Sequence, residues 1–215
     1  MIWLVRHGQS EANIGLVNHD FPNIVLTPLG HAQANALARW CPLPPDWLAH
    51  SPFLRARQTA EPMRQRFPTV PVHELAVQEF TYLNSDQVGL LRPEQREPVS
   101  RAYWERLDPY HREGGPAESF ADFCQRVEDF LRWAERQTSF GIVFSHAEFI
   151  RAVLLRLMYP HERDLALFMR RYALLRLGWY IPNGCVVRLR PERERGCWWF
   201  SGIEITHLND VAAEA

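Results

Sequence analysis

The sequence contains no lysine: all 24 of its basic residues are arginine. That removes Schiff-base catalysis and any P-loop lysine from consideration, so phosphate bound by this chain must be met by arginine. Cysteine is sparse and scattered. Cys41, Cys124, Cys185 and Cys197 form no C-x-x-C pair, so neither a zinc knuckle nor a disulfide framework is signalled, and free thiols in a reducing cytosol are expected. There is no excess of charge either. The formal net charge is -1, which gives no electrostatic reason to expect nucleic acid as a partner. Long apolar runs are missing too. The opening apolar stretch meets Arg6 too soon for a secretory leader, and no later run approaches the roughly 18 apolar residues that span a membrane. A soluble cytoplasmic protein is expected, with neither membrane nor nucleic acid as a partner.

The residues that are present can build a sizeable core. The chain is 47% hydrophobic over 215 residues, enough for a single domain over 1–215. The apolar run 1–5 reads as a strand. Thr27-Pro28 is an N-cap followed by proline at the first helical position, and Leu29, Ala32, Ala36, Leu37 and Trp40 then recur at helical spacing. Trp47-Leu48-Ala49-His50 reads as a short buried strand, and Ser51-Pro52 repeats the cap-and-proline signature before a helix ending near Phe67. A third strand is expected over 70–75. Residues 80–117 are polar and punctuated by Pro93, Pro98, Pro109, Gly114, Gly115 and Pro116. They read as an inserted lid with one helix over 99–107. Ser119 and Asp122 resemble a capping box for a long amphipathic helix. The run 140–144 is a strand ending in Ser145-His146-Ala147, and helices follow over 150–158 and 163–177. Two antiparallel strands over 185–189 and 198–205 close the tail. The predicted fold class is α/β, a three-layer sandwich with a mostly parallel central sheet, helices on both faces and the lid inserted.

In such a sheet the ligand sits beyond the carboxyl ends of the strands. Arg6 and His7 end the first strand, Ser51 to Arg55 follow the second, Glu79 follows the third, and His146 ends the fourth. Four segments therefore converge on one rim, which is a place for an anion and a nucleophile. The remaining histidines, such as His19, His31, His50, His73, His111, His161 and His207, have no metal-ligand spacing and default to surface or core roles.

The motifs on that rim carry a resemblance. Arg6-His7-Gly8 with Asn13, Leu26-Thr27-Pro28-Leu29-Gly30 with Gln33-Ala34, the stretch from Ser51-Pro52 through Arg55-Ala56-Arg57-Gln58-Thr59-Ala60, and Ser145-His146-Ala147 resemble the histidine phosphatase superfamily in its phosphoglycerate-mutase-like branch. They occur in family order from residue 2 to about residue 155. The later chain resembles that branch more loosely, through Gly115-Pro116-Ala117-Glu118-Ser119-Phe120 and the turn Ile181-Pro182-Asn183-Gly184.

The resemblance implies that His7 accepts a phosphoryl group. Imidazole, with an ordinary pKa near 6.5, can attack phosphorus without a strong base. Arg6 and Arg55 would hold the phosphoryl oxygens, and a protonated His146 would stabilise charge in the transition state. Ser10 and Asn13 would complete the phosphate cradle. Glu79 is the implied proton donor, with Glu118 in reserve. Here the chain departs from its relatives: many follow that Glu with a Gly and a Trp-Glu-Gly stretch, whereas this sequence reads Glu79-Phe80-Thr81-Tyr82-Leu83-Asn84, so the substrate pocket differs. Guanidinium donors can do what Mg²⁺ does elsewhere, so neither metal nor cofactor is required.

The function so implied is a metal-independent phosphatase acting on a small phosphomonoester. Two alternatives stand beside it. A mutase would return the phosphoryl group to a substrate, although the longer insertion of the glycolytic mutases is missing. A non-catalytic phospholigand-binding module would use the same scaffold without turnover. The rest of the substrate is expected to meet the loop 15–24 and the lid, where Tyr82, Arg92, Arg96, Tyr103 and Trp104 could supply ring and cation contacts. Oligomeric state is not legible.

Overall fold

Strand β1 (Ile2–Arg6) is followed by α1 (Pro28–Trp40), β2 (Trp47–His50), α2 (Leu54–Arg66) and β3 (Val72–Glu74). The inserted stretch holds the short helix α3 (Ser85–Val88) and α4 (Pro93–Arg106). The chain then continues through α5 (Phe120–Glu135), β4 (Gly141–Ser145), α6 (Ala147–Met158), α7 (Leu165–Gly178), β5 (Val186–Glu192) and β6 (Cys197–Phe200). This computed structural model describes residues 1–16, 20–209 and 211. Asn18 and His19 of the first loop lie outside the described residues.

The sheet order is β3-β2-β4-β1-β5-β6. The first four strands in that order run parallel, while β5 is antiparallel to β1 and β6 is antiparallel to β5. The period of two along each strand divides the sheet into two faces. Trp3, Val5, Leu48, Ile142 and Phe144 pack against Leu37, Ala38, Ala56, Ala60 and Met63 of α1 and α2. Ile2, Leu4, Ala49, Val143 and Val187 join a larger cluster with residues of α5, α6 and α7. The lid contributes to that second cluster: Phe80 stacks on Phe123 with ring centroids 4.3 Å apart, and Tyr103 and Trp104 are buried. Among the described residues, no helix is long and apolar enough to cross a membrane.

Register positions the site. β1 pairs in parallel with β4 so that Arg6 lies opposite Ser145, and the His7 amide donates to the Ser145 carbonyl at 2.9 Å. His7 and His146 therefore leave neighbouring strands at the same level. The loop after β1 is pinned on its other side by the first turn of α1. Thr27 caps that helix, its hydroxyl accepting from the Gly30 amide at 3.1 Å, and its own amide donates to the Gln9 carbonyl at 2.9 Å. Contact between loop and helix is backbone on backbone, because a Cβ on Gly30 would lie 2.0 Å from the Gln9 carbonyl oxygen. Glycine inside a helix ordinarily costs about 1 kcal/mol relative to alanine. Here the overlap reverses the sign: Gly30→Ala is expected to destabilise by about 1–3 kcal/mol in a denaturant titration, the usual range for forced overpacking.

Several boundaries differ from the sequence expectation. The lid helix starts at Pro93 and runs through Pro98. Pro98 removes only a hydrogen bond to the carbonyl of Glu94, and both residues are exposed, so water can replace the missing partner. Ser51-Pro52 does not cap α2. The N-cap is Phe53, and the Ser51 hydroxyl instead accepts from the Phe53 amide and turns toward His146. Helix α6 begins at Ala147, straight after the extended His146. β6 stops at Phe200, leaving a single bridge between Val186 and Glu204.

Candidate active site

A cleft of about 510 Å³ opens at the carboxyl ends of the parallel strands, and Arg6, His7, Ser10, Asn13, Arg55 and Glu79 all line it. His146 sits behind this lining with its ring 5.0 Å from that of His7 and no exposed surface.

His7 is held in one tautomer. Its Nδ1 lies 2.7 Å from the Gly8 carbonyl oxygen, and because a carbonyl only accepts, Nδ1 must carry the hydrogen. The lone pair is then on Nε2, to which the Arg55 Nε donates at 3.2 Å. The Gly8 amide donates to the Thr59 hydroxyl at 3.0 Å, so the first turns of α2 clamp the same loop. Burial first, then the neighbouring Arg55 and Arg6 charges, drive the His7 pKa well below its ordinary value, against the pull of the Gly8 carbonyl. A neutral imidazole results.

Arg6 and Arg55 are both buried. One Arg6 Nη1 hydrogen goes to the Ile181 carbonyl at 2.5 Å, whereas its Nε is buried without a hydrogen-bond partner among the described residues. Arg55, on the second residue of α2, donates from Nη1 to the Phe21 carbonyl at 2.8 Å. Its cation opposes the helix dipole there. Burial lowers the Arg55 pKa to about 10, still charged at neutral pH.

Glu79 is the acid that faces these two cations. Its Oε1 accepts from the Glu148 amide at 2.9 Å, in the first turn of α6. Burial pushes its pKa up, the Glu148 carboxylate adds to the rise, and Arg55 and Arg6 oppose it. Glu148 is itself held by the Tyr172 hydroxyl at 2.5 Å and Arg151 at 3.2 Å. Glu118 is placed differently. Arg126 grips it with Nε and Nη2 at 3.0 and 2.6 Å, and the Thr81 amide donates to it at 3.2 Å. It is outside the cleft lining, so its oxygens tie the lid to α5.

His146 places Nε2 2.8 Å from the Ser51 hydroxyl, while its Nδ1 is buried without a partner among the described residues. Burial, then the charges of Arg55 and Arg6, push its pKa well down, and the two neighbouring imidazoles disfavour each other's protonation. The sequence expectation of a protonated His146 applies beside a phosphate dianion, whose charge would oppose these cations. Ser10 spends both its amide and its hydroxyl on Asn13 Oδ1, each at 2.9 Å, and Asn183 donates to the same oxygen at 3.1 Å. Asn183 also donates to the His7 carbonyl, which brings the Ile181–Gly184 turn onto the rim.

Of the side chains expected to meet the rest of the substrate, Tyr82 and Arg96 line the cleft, whereas Tyr103 and Trp104 are in the core and Arg92 caps α4 outside the lining. The sequence reading places Ser51 and Phe53 on the rim, and Glu97 and Ser100 within the lid, without individual roles, and leaves Glu148 out altogether. The signal of Glu148, an acid two residues after His146, is indistinguishable from an ordinary first-turn acid. Among the described residues, no group of three or more His, Cys, Asp or Glu is placed to hold a metal ion.

Comparison with known proteins adds a family to this geometry. The model of the histidine phosphatase superfamily (branch 1) matches residues 2–196, and the chain belongs to that superfamily. Membership indicates phosphatase or mutase activity. The 6-phosphofructo-2-kinase/fructose-2,6-bisphosphatase of Caenorhabditis elegans is 30% identical over 183 residues, covering 77% of this chain and 35% of that protein. The chain therefore spans about a third of the length of the curated relative it matches. Phosphoserine phosphatase from Entamoeba histolytica, solved with 3-phosphoglyceric acid, superposes with a TM-score of 0.69 at 18% identity, covering 96% of this chain and 98% of that one. Alpha-ribazole phosphatase from Shigella flexneri gives 0.67 at 23% identity, covering 90% and 91%. At those identities the two structures speak to the fold alone.

Proposed function

We propose that the chain is a phosphatase that hydrolyses a small phosphomonoester through a phosphohistidine on His7, without a metal ion. The observation that carries this reading is the fixed tautomer of His7, with the Nε2 lone pair held against Arg55 at 3.2 Å inside a cleft that also holds a buried acid. His7 Nε2 attacks phosphorus as the ester P–O bond breaks, and Glu79 passes its proton to the departing oxygen. Water then attacks the phosphorus, Glu79 takes a proton from it, the P–N bond breaks and inorganic phosphate leaves. Ester and water are converted to alcohol and phosphate, and both residues return to their starting states.

Arg6 and Arg55 hold the phosphoryl oxygens and neutralise the charge that spreads over them, the part a divalent cation plays in other phosphoryl transfers. A bound dianion reverses the balance those cations impose on His146, which then takes a proton and adds a third positive group. Asn13 keeps its amide nitrogen for the anion, because its oxygen serves Ser10 and Asn183.

The test is rapid acid-free quenching of wild-type protein mixed with ³²P-labelled substrate. An acid-labile, base-stable phosphoprotein should form and decay to inorganic phosphate. Turnover without it overturns the mechanism. Label returned to an acceptor when bisphosphoglycerate is present would mark a mutase, and binding of vanadate with no ester turned over would mark a binding module.

A further inference from the structure

We infer that the alcohol carried by the phosphate is uncharged and apolar, a ring-bearing body, and not a second anionic group. This inference rests on the phosphatase reading above. Beyond the phosphate-facing residues, the cleft is walled by Phe21, Ile24, Phe53, Phe80, Tyr82 and Val88. These side chains come from three separate segments: the first loop, the N-cap of α2 and the lid. The lid side is anchored to the core. Phe80 is stacked on Phe123 in the core, its ring lies 5.2 Å from that of Tyr82, and the Tyr82 hydroxyl shares a hydrogen with Ser100 at 2.8 Å. A preformed aromatic wall favours a flat or apolar partner, since rings gain both buried area and offset or edge contacts.

Charge in this outer part argues the same way. Arg96 is its one cation and Glu97 its one anion among the described lining residues. Recognition of a second phosphate or carboxylate by arginine works best through the paired edge of the guanidinium. The Nε–Nη2 edge is already used in Arg96, where Nε donates to the Leu91 carbonyl at 2.7 Å and Nη2 to the Gly89 carbonyl at 3.1 Å, which leaves only the Nη1–Nη2 end of this single cation for an anion. The Arg96 guanidinium also lies 5.6 Å from the Phe21 ring centre, which ties the lid to the first loop. Its job is to hold those two segments together. Glu97 on the next residue would repel a second anion. A bisphosphorylated sugar, the kind of substrate in the name of the nematode relative, therefore meets no second cationic cluster among the described lining residues.

The experiment compares esters of primary alcohols, so that the leaving oxygen changes little while the body changes. Benzyl phosphate and ethyl phosphate are assayed beside fructose 2,6-bisphosphate, 3-phosphoglycerate and phosphoserine, on wild type, His7→Ala, Phe21→Ala and Arg96→Gln. Wild type should favour benzyl over ethyl phosphate by about tenfold or more in kcat/KM, as expected for a ring entering an apolar pocket, and both over the charged-bodied esters. Phe21→Ala should shrink the benzyl-to-ethyl ratio severalfold. A preference for a charged-bodied ester that Arg96→Gln removes, with turnover still dependent on His7, overturns this inference and leaves the phosphatase reading standing. Equal turnover by wild type and His7→Ala, or none by wild type on any ester, overturns both.

Discussion

Replacing His7 by alanine is expected to lower kcat by about 10³-fold or more and to abolish the phosphoprotein, because His7 is the one imidazole among the described residues that line the cleft. That loss corresponds to at least roughly 4 kcal/mol of transition-state stabilisation. The Ser10 hydroxyl, which lines the cleft, donates to Asn13 Oδ1, an amide oxygen that cannot act as a base. His146 is no substitute either, since it lies behind the lining with Nε2 engaged by Ser51. Inorganic phosphate should still bind to the variant within severalfold of wild type, as Arg6 and Arg55 are retained. This separates loss of chemistry from loss of the site. His7→Gln is the companion variant: it fills more of the buried space but has no nucleophilic lone pair, so it should be equally inactive. Either variant hydrolysing benzyl phosphate within tenfold of wild type, in protein that melts as wild type does, rules out a His7 nucleophile.

What could be read from the sequence was the convergence of strand ends, and the reason is topological. A strand-to-helix unit announces its strand by an apolar run and its helix by spacing and caps, and parallel strands put their carboxyl ends on one side. Arg6, His7, Arg55 and Glu79 could be placed on a common rim without knowing any contact. The strand order could not be obtained that way, although it sets His7 beside His146 through the Arg6–Ser145 register. Ser51 shows a different limit. Ser-Pro before a helical pattern is a cap signature, yet the chain turns once more before Phe53 and the hydroxyl meets an imidazole 95 residues away. Glu118 fails in the opposite direction. In sequence it is an acid of the right type near the lid, and only the packing of α5 reveals that Arg126 and the Thr81 amide occupy its oxygens. Local pattern predicts where backbone goes, whereas the partner of a buried polar side chain depends on pairings that are distant in sequence.

Glu79→Gln is expected to separate the two halves of the reaction. The amide oxygen can still accept from the Glu148 N–H, so the loop after β3 should keep its place, but the side chain can no longer deliver or take a proton. For an alkyl ester the first step should slow by about 10²–10⁴-fold, the usual worth of a positioned general acid. For p-nitrophenyl phosphate, whose phenolate leaves without a proton near neutral pH, the first step should be nearly unaffected while attack by water slows. The variant should then release a burst of nitrophenol matching the enzyme present and accumulate phosphoprotein. The pH profile gives a second readout, with its sign set by the site. His7 must be neutral to attack, and its lowered pKa keeps it so to below pH 6.5; Glu79 must be protonated to donate, and its raised pKa keeps it so to above pH 4.5. In wild type kcat/KM for an alkyl ester should therefore rise through the depressed His7 ionisation and fall through the elevated Glu79 one. Only the falling limb should vanish in Glu79→Gln, and the substrate's own second ionisation, near about pH 6, cancels in the ratio of the two profiles. An unchanged falling limb, or equal slowing of alkyl and aryl esters with no burst, would take the acid role away from Glu79.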